Sequence, residues 1–418
     1  MNVLVTSANL QTYYVGPASK GRADGSDVNN VKGWSSYSPA RGDTWLLVGG
    51  TYGGKTFDCV ENGTQGITIK SAGLGQCVFN GTITFLSSYW TFDGLTGGGP
   101  GNWTGPFGFK IAMLGNSGVG NQNGVTIGNG GSVGKTIGHI TLRHFEFLGE
   151  GYADWNQYGV CLTGNGPYQI GDVTVSYAYF HESGCAHYDS DWSYGNIVLE
   201  FSCFGSYYGG QSPYISTEYV HAQVLADFSS TGLTNVTIRN NLILYVIGTG
   251  GFCMCYCNGL YAYGNVFYQP TVGVWESGNG CFGSLNVTDD SWAPNPAPTN
   301  WYIYNNTFIN VTPTAAVQTY FGVNIVVENN LFYSSYAYLN SGPTITDYNY
   351  YNNCTSVTSS AHDQTASGNP FVNYAAYDFT LEADTNAGLT LGAPYNVDPN
   401  GVTRAGTRGA YQYVNPPV

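Results

Sequence analysis

Charge is what this chain has least of. Only 9% of its residues are Asp, Glu, Lys or Arg, and 12 Lys plus Arg face 26 Asp plus Glu, a formal net charge of −14. So few cations argue against nucleic acid or an anionic membrane as partner, since both are bound through basic patches. The chain also lacks any apolar run approaching the roughly 18 residues of a membrane-spanning helix, so no membrane insertion is expected. The start, Met1-Asn-Val-Leu-Val-Thr, has no basic region followed by an apolar one and does not read as a signal peptide. No long run has helical period. Low charge would fit disorder only if hydrophobic residues were scarce too, and they make up 42%.

Cysteine is present, ten in all, but never as Cys-x-x-Cys, which excludes the common zinc spacing. Cys253-Met-Cys255-Tyr-Cys257 alternates as a strand does, so its thiols share one face as small buried fillers or, alternatively, a metal site. Cys59 and Cys77 are a candidate disulfide.

What is abundant is Gly (59) and Tyr (35), with many Asn, Ser and Thr. Gly, Asn, Ser and Thr make turns, and Tyr, Val, Ile and Phe make strands, so the class is all-β. One phrase recurs. It reads Val236-Thr-Ile-Arg-Asn-Asn-Leu-Ile243, and returns as Leu260-Tyr-Ala-Tyr-Gly-Asn-Val-Phe267, Trp301-Tyr-Ile-Tyr-Asn-Asn-Thr-Phe308 and Ile325-Val-Val-Glu-Asn-Asn-Leu-Phe332. Looser copies start at Ile140, Val173 and Ile197. Starts at 173 and 197, 236 and 260, and 301 and 325 are each 24 apart. A strand repeat of that length, with insertions, fits a solenoid coil of three short strands and three turns. Stacking the coils about 4.8 Å apart turns the sixth position (Asn241, Asn265, Asn306, Asn330) into an Asn ladder and the eighth (Phe147, Phe180, Phe204, Ile243, Phe267, Phe308, Phe332) into an internal stack. The competing architecture is a β-sandwich with Asn-Asn turns, but the register holds over seven copies. Arg239 and Glu328 share the fourth position, which reads as outward and solvated.

Near the start, Gly42-Asp-Thr-Trp-Leu-Leu-Val-Gly-Gly-Thr-Tyr52 resembles the first rung of bacterial and phage right-handed parallel β-helix proteins. Asn369-Pro-Phe-Val-Asn, Tyr377-Asp-Phe-Thr-Leu381 and Gly409-Ala-Tyr411 resemble their closing segment. The resemblance implies a single right-handed parallel β-helix of about ten to twelve coils, roughly 50–60 Å long. Residues 1–57 would form the opening and first rung, 58–368 the coils, and 369–418 the closing segment. Poorly periodic stretches at 95–139, 148–172, 205–235 and 268–300 read as surface insertions, where function often sits in a rigid scaffold. The superfamily holds pectate-lyase-like enzymes, polygalacturonase-like hydrolases, phage tailspikes and non-catalytic surface proteins, and no motif here selects one activity.

Titratable groups cluster between residues 139 and 227. The densest stretch runs from His181-Glu through His187-Tyr-Asp189-Ser-Asp191-Trp192, and Glu218, His221 and Asp227 follow. Glycoside hydrolysis needs two carboxylates, one kept protonated, for which Asp189, Asp191, Glu218 and Asp227 are candidates. A uronate lyase needs a base and a cation, for which His187 or His221 with Arg239 or Arg143 are candidates, and Asp189 with Asp191 can hold Ca2+. The shortage of cations disfavours the lyase. Equally, these Asp and Ser residues can cap turns, and the His residues can bond backbone carbonyls. Trp155, Trp192, Trp275 and Trp292 lie in or beside insertions, where flat rings stack on sugars or anchor interfaces, or simply pack locally. With Arg239 they are the substrate-binding candidates.

The expectation is an extracellular or virion-surface protein, a capsid-decoration or tailspike-like protein, whose flank meets a polysaccharide, a cell-surface glycan or neighbouring virion subunits, with a homotrimer among its assemblies. The helix pattern begins almost at once, which favours decoration over a tailspike with its own particle-binding domain. The alternative is a secreted polysaccharide lyase or glycoside hydrolase. An ice-type binder would need a flat, regular Thr ladder, which the repeat does not display.

Overall fold

The computed structural model describes residues 10–36, 38–59, 64–113, 122–128, 135–149, 157–163, 169–182, 185–189, 193–205, 223–227, 233–244, 251–254, 257–269, 281–283, 298–312, 315–319, 322–340, 343–354, 357 and 359–414. They form a right-handed parallel β-helix. Strands stack in three parallel ladders. Ladder one is a sheet of 13 strands, and ladders two and three belong to one 20-stranded sheet, joined because the long strand Cys77–Phe85 pairs along both. The antiparallel strand pair Phe371–Asn373 with Asp378–Leu381 lies outside the coils.

The repeated phrase is the ladder-one strand and the turn into ladder two. Its register is the one the sequence dictates: Ile140 pairs with Val173, Val173 with Ile197, Val236 with Leu260, Leu260 with Trp301 and Trp301 with Ile325. Positions one and three point inward and are fully buried, as in Val236, Ile238, Trp301 and Ile303. The fifth position takes the left-handed conformation, with φ of 56° at Asn240, 53° at Asn305 and 59° at Asn329. Asn tolerates that region best among residues with a Cβ. Gly264 fills the same position with φ 68°, and a Cβ there would meet Asn240 Oδ1 at 2.2 Å.

The sixth-position amides form the expected ladder. Nδ2 of Asn241 donates to Oδ1 of Asn265 at 3.0 Å, Asn265 to Asn306 at 2.9 Å, and Asn306 to Asn330 at 3.0 Å. Each Nδ2 also donates to a carbonyl of the coil before, as Asn306 does to Ala262. The ladder continues through Asn349 and ends where Asp363 Oδ1 accepts the Asn349 N–H at 2.7 Å. The eighth position stacks, with Phe267, Phe308, Phe332 and Tyr351 at centroid spacings of 5.1, 5.0 and 5.2 Å.

The stretches expected to be insertions are only partly that. Their described portions hold the third-ladder strands Gln122–Gly128, Gln157–Thr163, Gln223–Asp227 and Phe282–Gly283, and the ladder-two strand Phe109–Ala112. These strands lack the repeated phrase, so the sequence pattern passes over them.

Trp34 plugs the first coil, with ring centroids 5.3 Å from Tyr52 and 5.6 Å from Phe57. The closing segment folds back along the flank. Its Phe371, Phe379, Leu381 and Tyr411 cover outward apolar residues of ladder two, among them Leu242, Val266 and Leu331. Buried Arg408 fastens it by donating to the carbonyls of Asn349, His362 and Ala387. Cys59 and Cys77 form no disulfide. Each is a buried thiol facing a carbonyl, Pro39 and Leu47 respectively.

Replacing Asn306 with Ala removes one link of the amide ladder and leaves the Asn265 N–H and the Ala262 carbonyl without their partner. Each unsatisfied buried group costs about 1–3 kcal/mol. Equilibrium denaturation should show a loss on the order of 3 kcal/mol. A loss within error of zero would mean that the ladder only decorates the turn.

Candidate functional site

The outer face of ladder one carries two columns, the second and fourth positions of each coil. The second-position column was misjudged from the repeat. In register it reads Thr44, Thr68, Thr91, Thr141, Thr174, then Val198, Thr237, Tyr261 and Tyr302. A Thr ladder is therefore present. It was hidden because its upper members lie in coils without the full phrase and because Val198 interrupts it. Lower in the column the rings of Tyr261 and Tyr302 stack at 5.6 Å and 16°, and Val326 and Ile345 follow them in register.

The fourth-position column is outward, as expected, but it is not free in solvent. Asp93 is almost fully buried and accepts from Arg143 Nε at 2.9 Å, from His144 Nδ1 at 2.7 Å and from the Leu95 N–H at 2.8 Å. Burial alone would raise its pKa. The bonds from His144 and Leu95 and the charge of Arg143 outweigh that, and it lies below the usual carboxylate range. Three coils on from Arg143, Arg239 is half-buried. Its Nε donates to Glu200 Oε2 at 2.7 Å and its Nη1 to the Tyr263 hydroxyl at 3.1 Å. Arg239 is thus a structural ion pair on the very face for which it was a substrate-binding candidate.

Lower still, Glu328 and Asp347 are register neighbours in adjacent coils. Burial, then the charge of Asp347, raises the Glu328 pKa. Burial pushes Asp347 the same way, but His362 Nδ1 at 2.6 Å and the N–H groups of Tyr348 and His362 hold it down on balance. The sequence reading missed Asp347 and His362, which stand outside the dense cluster; the fourth-position register could have found Asp347. Beside them, Tyr263 and Tyr304 meet the edge of Tyr395, from the closing segment, at 4.9 and 5.0 Å. Burial pushes the Tyr395 hydroxyl up to about 12. A cavity of about 200 Å³ opens at this edge, lined by Asn305, Asn329, Leu391, Tyr395, Arg404 and Thr407 among others.

On ladder two, Glu146 accepts from Lys110 Nζ at 2.6 Å and lies 3.2 Å from His181 Nε2, whose ring stacks on Tyr179 at 4.3 Å. Two of the clustered histidines, His144 and His181, are therefore each paired with a carboxylate.

The remaining candidates divide in two. His187 and Asp189 lie on the third-ladder strand Cys185–Asp189 and Asp227 on its neighbour Gln223–Asp227, described there by backbone register. Asp189 pairs with Asp227, and His187 stands between Val160 and Leu225. Asp191, Glu218, His221, Trp155, Trp192, Trp275 and Trp292 lie outside the described residues. Among the described residues, no group of three or more His, Cys, Asp or Glu is placed to hold a metal ion.

Since Asp93 has a lowered folded pKa, its stabilising effect is present above the ordinary carboxylate value and is lost as pH falls through the folded value. An Asp93→Asn variant should be less stable at neutral pH and show a shallower loss on acidification, read from unfolding midpoints across a pH series. Parallel curves for the two proteins would remove Asp93 from the acid response.

No family model and no curated protein matches this chain. Among solved structures, pectate lyase Pel9A is similar over 97% of this chain and 96% of its own, at TM-score 0.55 and 14% identity. The lacto-N-biosidase of Eubacterium ramulus is similar over 86% and 68%, at 0.43 and 10%. The tailspike of E. coli bacteriophage HK620 is similar over 85% and 56%, at 0.37 and 12%. At such identities the likeness is one of fold alone, the parallel β-helix that the ladders describe.

Proposed function

We propose that this protein is an extracellular or virion-surface β-helix, of the capsid-decoration or tailspike-like kind, that presents the outer face of ladder one to carbohydrate. The observation that carries this reading is the stacked pair Tyr261 and Tyr302, held on a rigid sheet beside Tyr263, Tyr304 and Tyr395. Flat rings with a polar edge, fixed in place, suit sugar rings at little entropic cost. The charge balance favours a neutral glycan, since Arg143 and Arg239 are each already paired with a carboxylate. The pectate lyase of the same fold acts, by its name, on a polysaccharide. Neighbouring virion subunits, and a homotrimer, remain the assembly side of this reading. A glycan array followed by calorimetry tests it. Tyr302→Ala should weaken binding about tenfold at unchanged thermal midpoint. A folded wild-type protein that binds no glycan, but co-purifies with a particle, would leave subunit contacts alone.

The second reading is a polysaccharide hydrolase or lyase. Glu328 and Asp347 favour hydrolysis, because neighbouring carboxylates driven in opposite directions suit an acid and its anionic partner. The His187, Asp189, Asp191, Glu218, His221 and Asp227 set, with Ca2+ on Asp189 and Asp191, is the rival location. Polysaccharides should be assayed for new reducing ends and for the ultraviolet absorbance of an unsaturated uronate. Reducing ends lost in Glu328→Gln would locate a hydrolase on ladder one. Product lost instead in His187→Ala or Asp189→Ala would locate the chemistry on ladder three, and no product at all would retire this reading.

A further inference from the structure

Within the proposed carbohydrate reading, on which this inference rests, we infer that a glycan chain lies along the solenoid axis, one sugar per coil, running from the stacked tyrosines up the threonine column. The column supplies the reason. Thr141, Thr174 and Thr237 occupy the same register position as Tyr261 and Tyr302, so hydroxyls and rings form one line on one face. Coils repeat about every 4.8 Å, which presents one polar contact per step to any ligand that itself repeats. β-Branching leaves each Thr stiff at χ1, so the hydroxyls are aligned before anything binds.

These hydroxyls have work left to do. The side chains are half-buried by their neighbours, and no hydroxyl of Thr44, Thr68, Thr91, Thr141, Thr174 or Thr237 finds a hydrogen-bond partner among the described residues. The columns on either side are satisfied. On one, Arg143 is bound to Asp93 and Arg239 to Glu200. On the other, Asn196 is bonded to Asp172 and Asn235 to Asn196. What remains open is a single line of neutral donors and acceptors that leads onto an aromatic pair.

That chemistry fits an extended, uncharged, polyhydroxylated chain. It does not fit a nucleic acid or an anionic lipid surface, which would need free cations. An apolar protein partner would leave the hydroxyls unpaired. The six register positions from Tyr302 through Tyr261, Thr237, Val198 and Thr174 to Thr141 set the length of the footprint as a hexasaccharide. Val198 offers only a methyl contact, so the step over it contributes least.

The test is titration calorimetry with disaccharides and hexasaccharides of β-1,4-glucan, β-1,4-mannan and β-1,3-glucan. The variants are the triple Thr141→Val, Thr174→Val, Thr237→Val, which keeps shape and β-branching, and Tyr302→Ala. Expected is a hexasaccharide bound more tightly than its disaccharide, with the triple variant losing at least about tenfold for the hexasaccharide and nothing for the disaccharide. Tyr302→Ala should weaken both. If the hexasaccharide binds and the triple variant matches wild type, the axial track is overturned while the carbohydrate reading stands. If no sugar binds the folded wild-type protein, both fall together.

Discussion

Every feature of this molecule depends on one corner, the turn between ladders one and two. The chain must reverse sharply once per coil, and it does so through a left-handed residue followed by a buried side chain that bonds the coils above and below. Asn serves both needs, at position five because it tolerates the conformation and at position six because its amide both donates and accepts. Asn241, Asn265, Asn306 and Asn330 each bond a neighbouring amide and a backbone carbonyl, so the corner cannot slip by one residue without orphaning several buried groups at once. A slip would also turn inward positions outward along the whole strand. The register of the outer face is therefore an outcome of the inner corner.

Above Asn241 the same task passes to other chemistry. Ser202 donates its N–H to Asn241 Oδ1 and accepts the Ala178 N–H on its hydroxyl. The fifth position is taken there by His144, Tyr177 and Phe201, whose rings stack at 5.0 and 5.1 Å. Stacking replaces the amide ladder as the contact that repeats from coil to coil. His144 gains a second role by this exchange, since its left-handed backbone aims Nδ1 at Asp93. A residue forced by the turn has become part of an electrostatic cluster.

This explains what was legible in the sequence. The phrase encodes inward and turn positions, because these face the same environment in every coil; the strand register, the Asn ladder and the aromatic stack all follow from it. Outward positions answer to neighbours in space. Arg239 reads as solvated until Glu200, 39 residues earlier, is placed beside it. Thr44 and Thr237 are far apart in sequence and fall in one column only once every intervening coil has been counted. The third-ladder strands escaped notice because the repeated phrase does not include them, and Gly and Asn dilute their alternation.

Low charge takes on a specific meaning in this arrangement. A solenoid with two like-charged residues in successive coils would hold them about 4.8 Å apart, a repulsion repeated along the axis. The fourth-position column mostly avoids this by alternating sign, Asp93 against Arg143 and Glu200 against Arg239, and then by giving way to Tyr263 and Tyr304. Among the described residues of this column, like charges meet at Glu328 and Asp347, and there the pair divides, one carboxylate raised and the other held low by His362. A column that neutralises itself everywhere else makes that one exception the place where outer-face ionisation is not explained by stability. The neutral stretch above it has the opposite quality: with its charges spent on one another, it can recognise only through hydroxyls and rings.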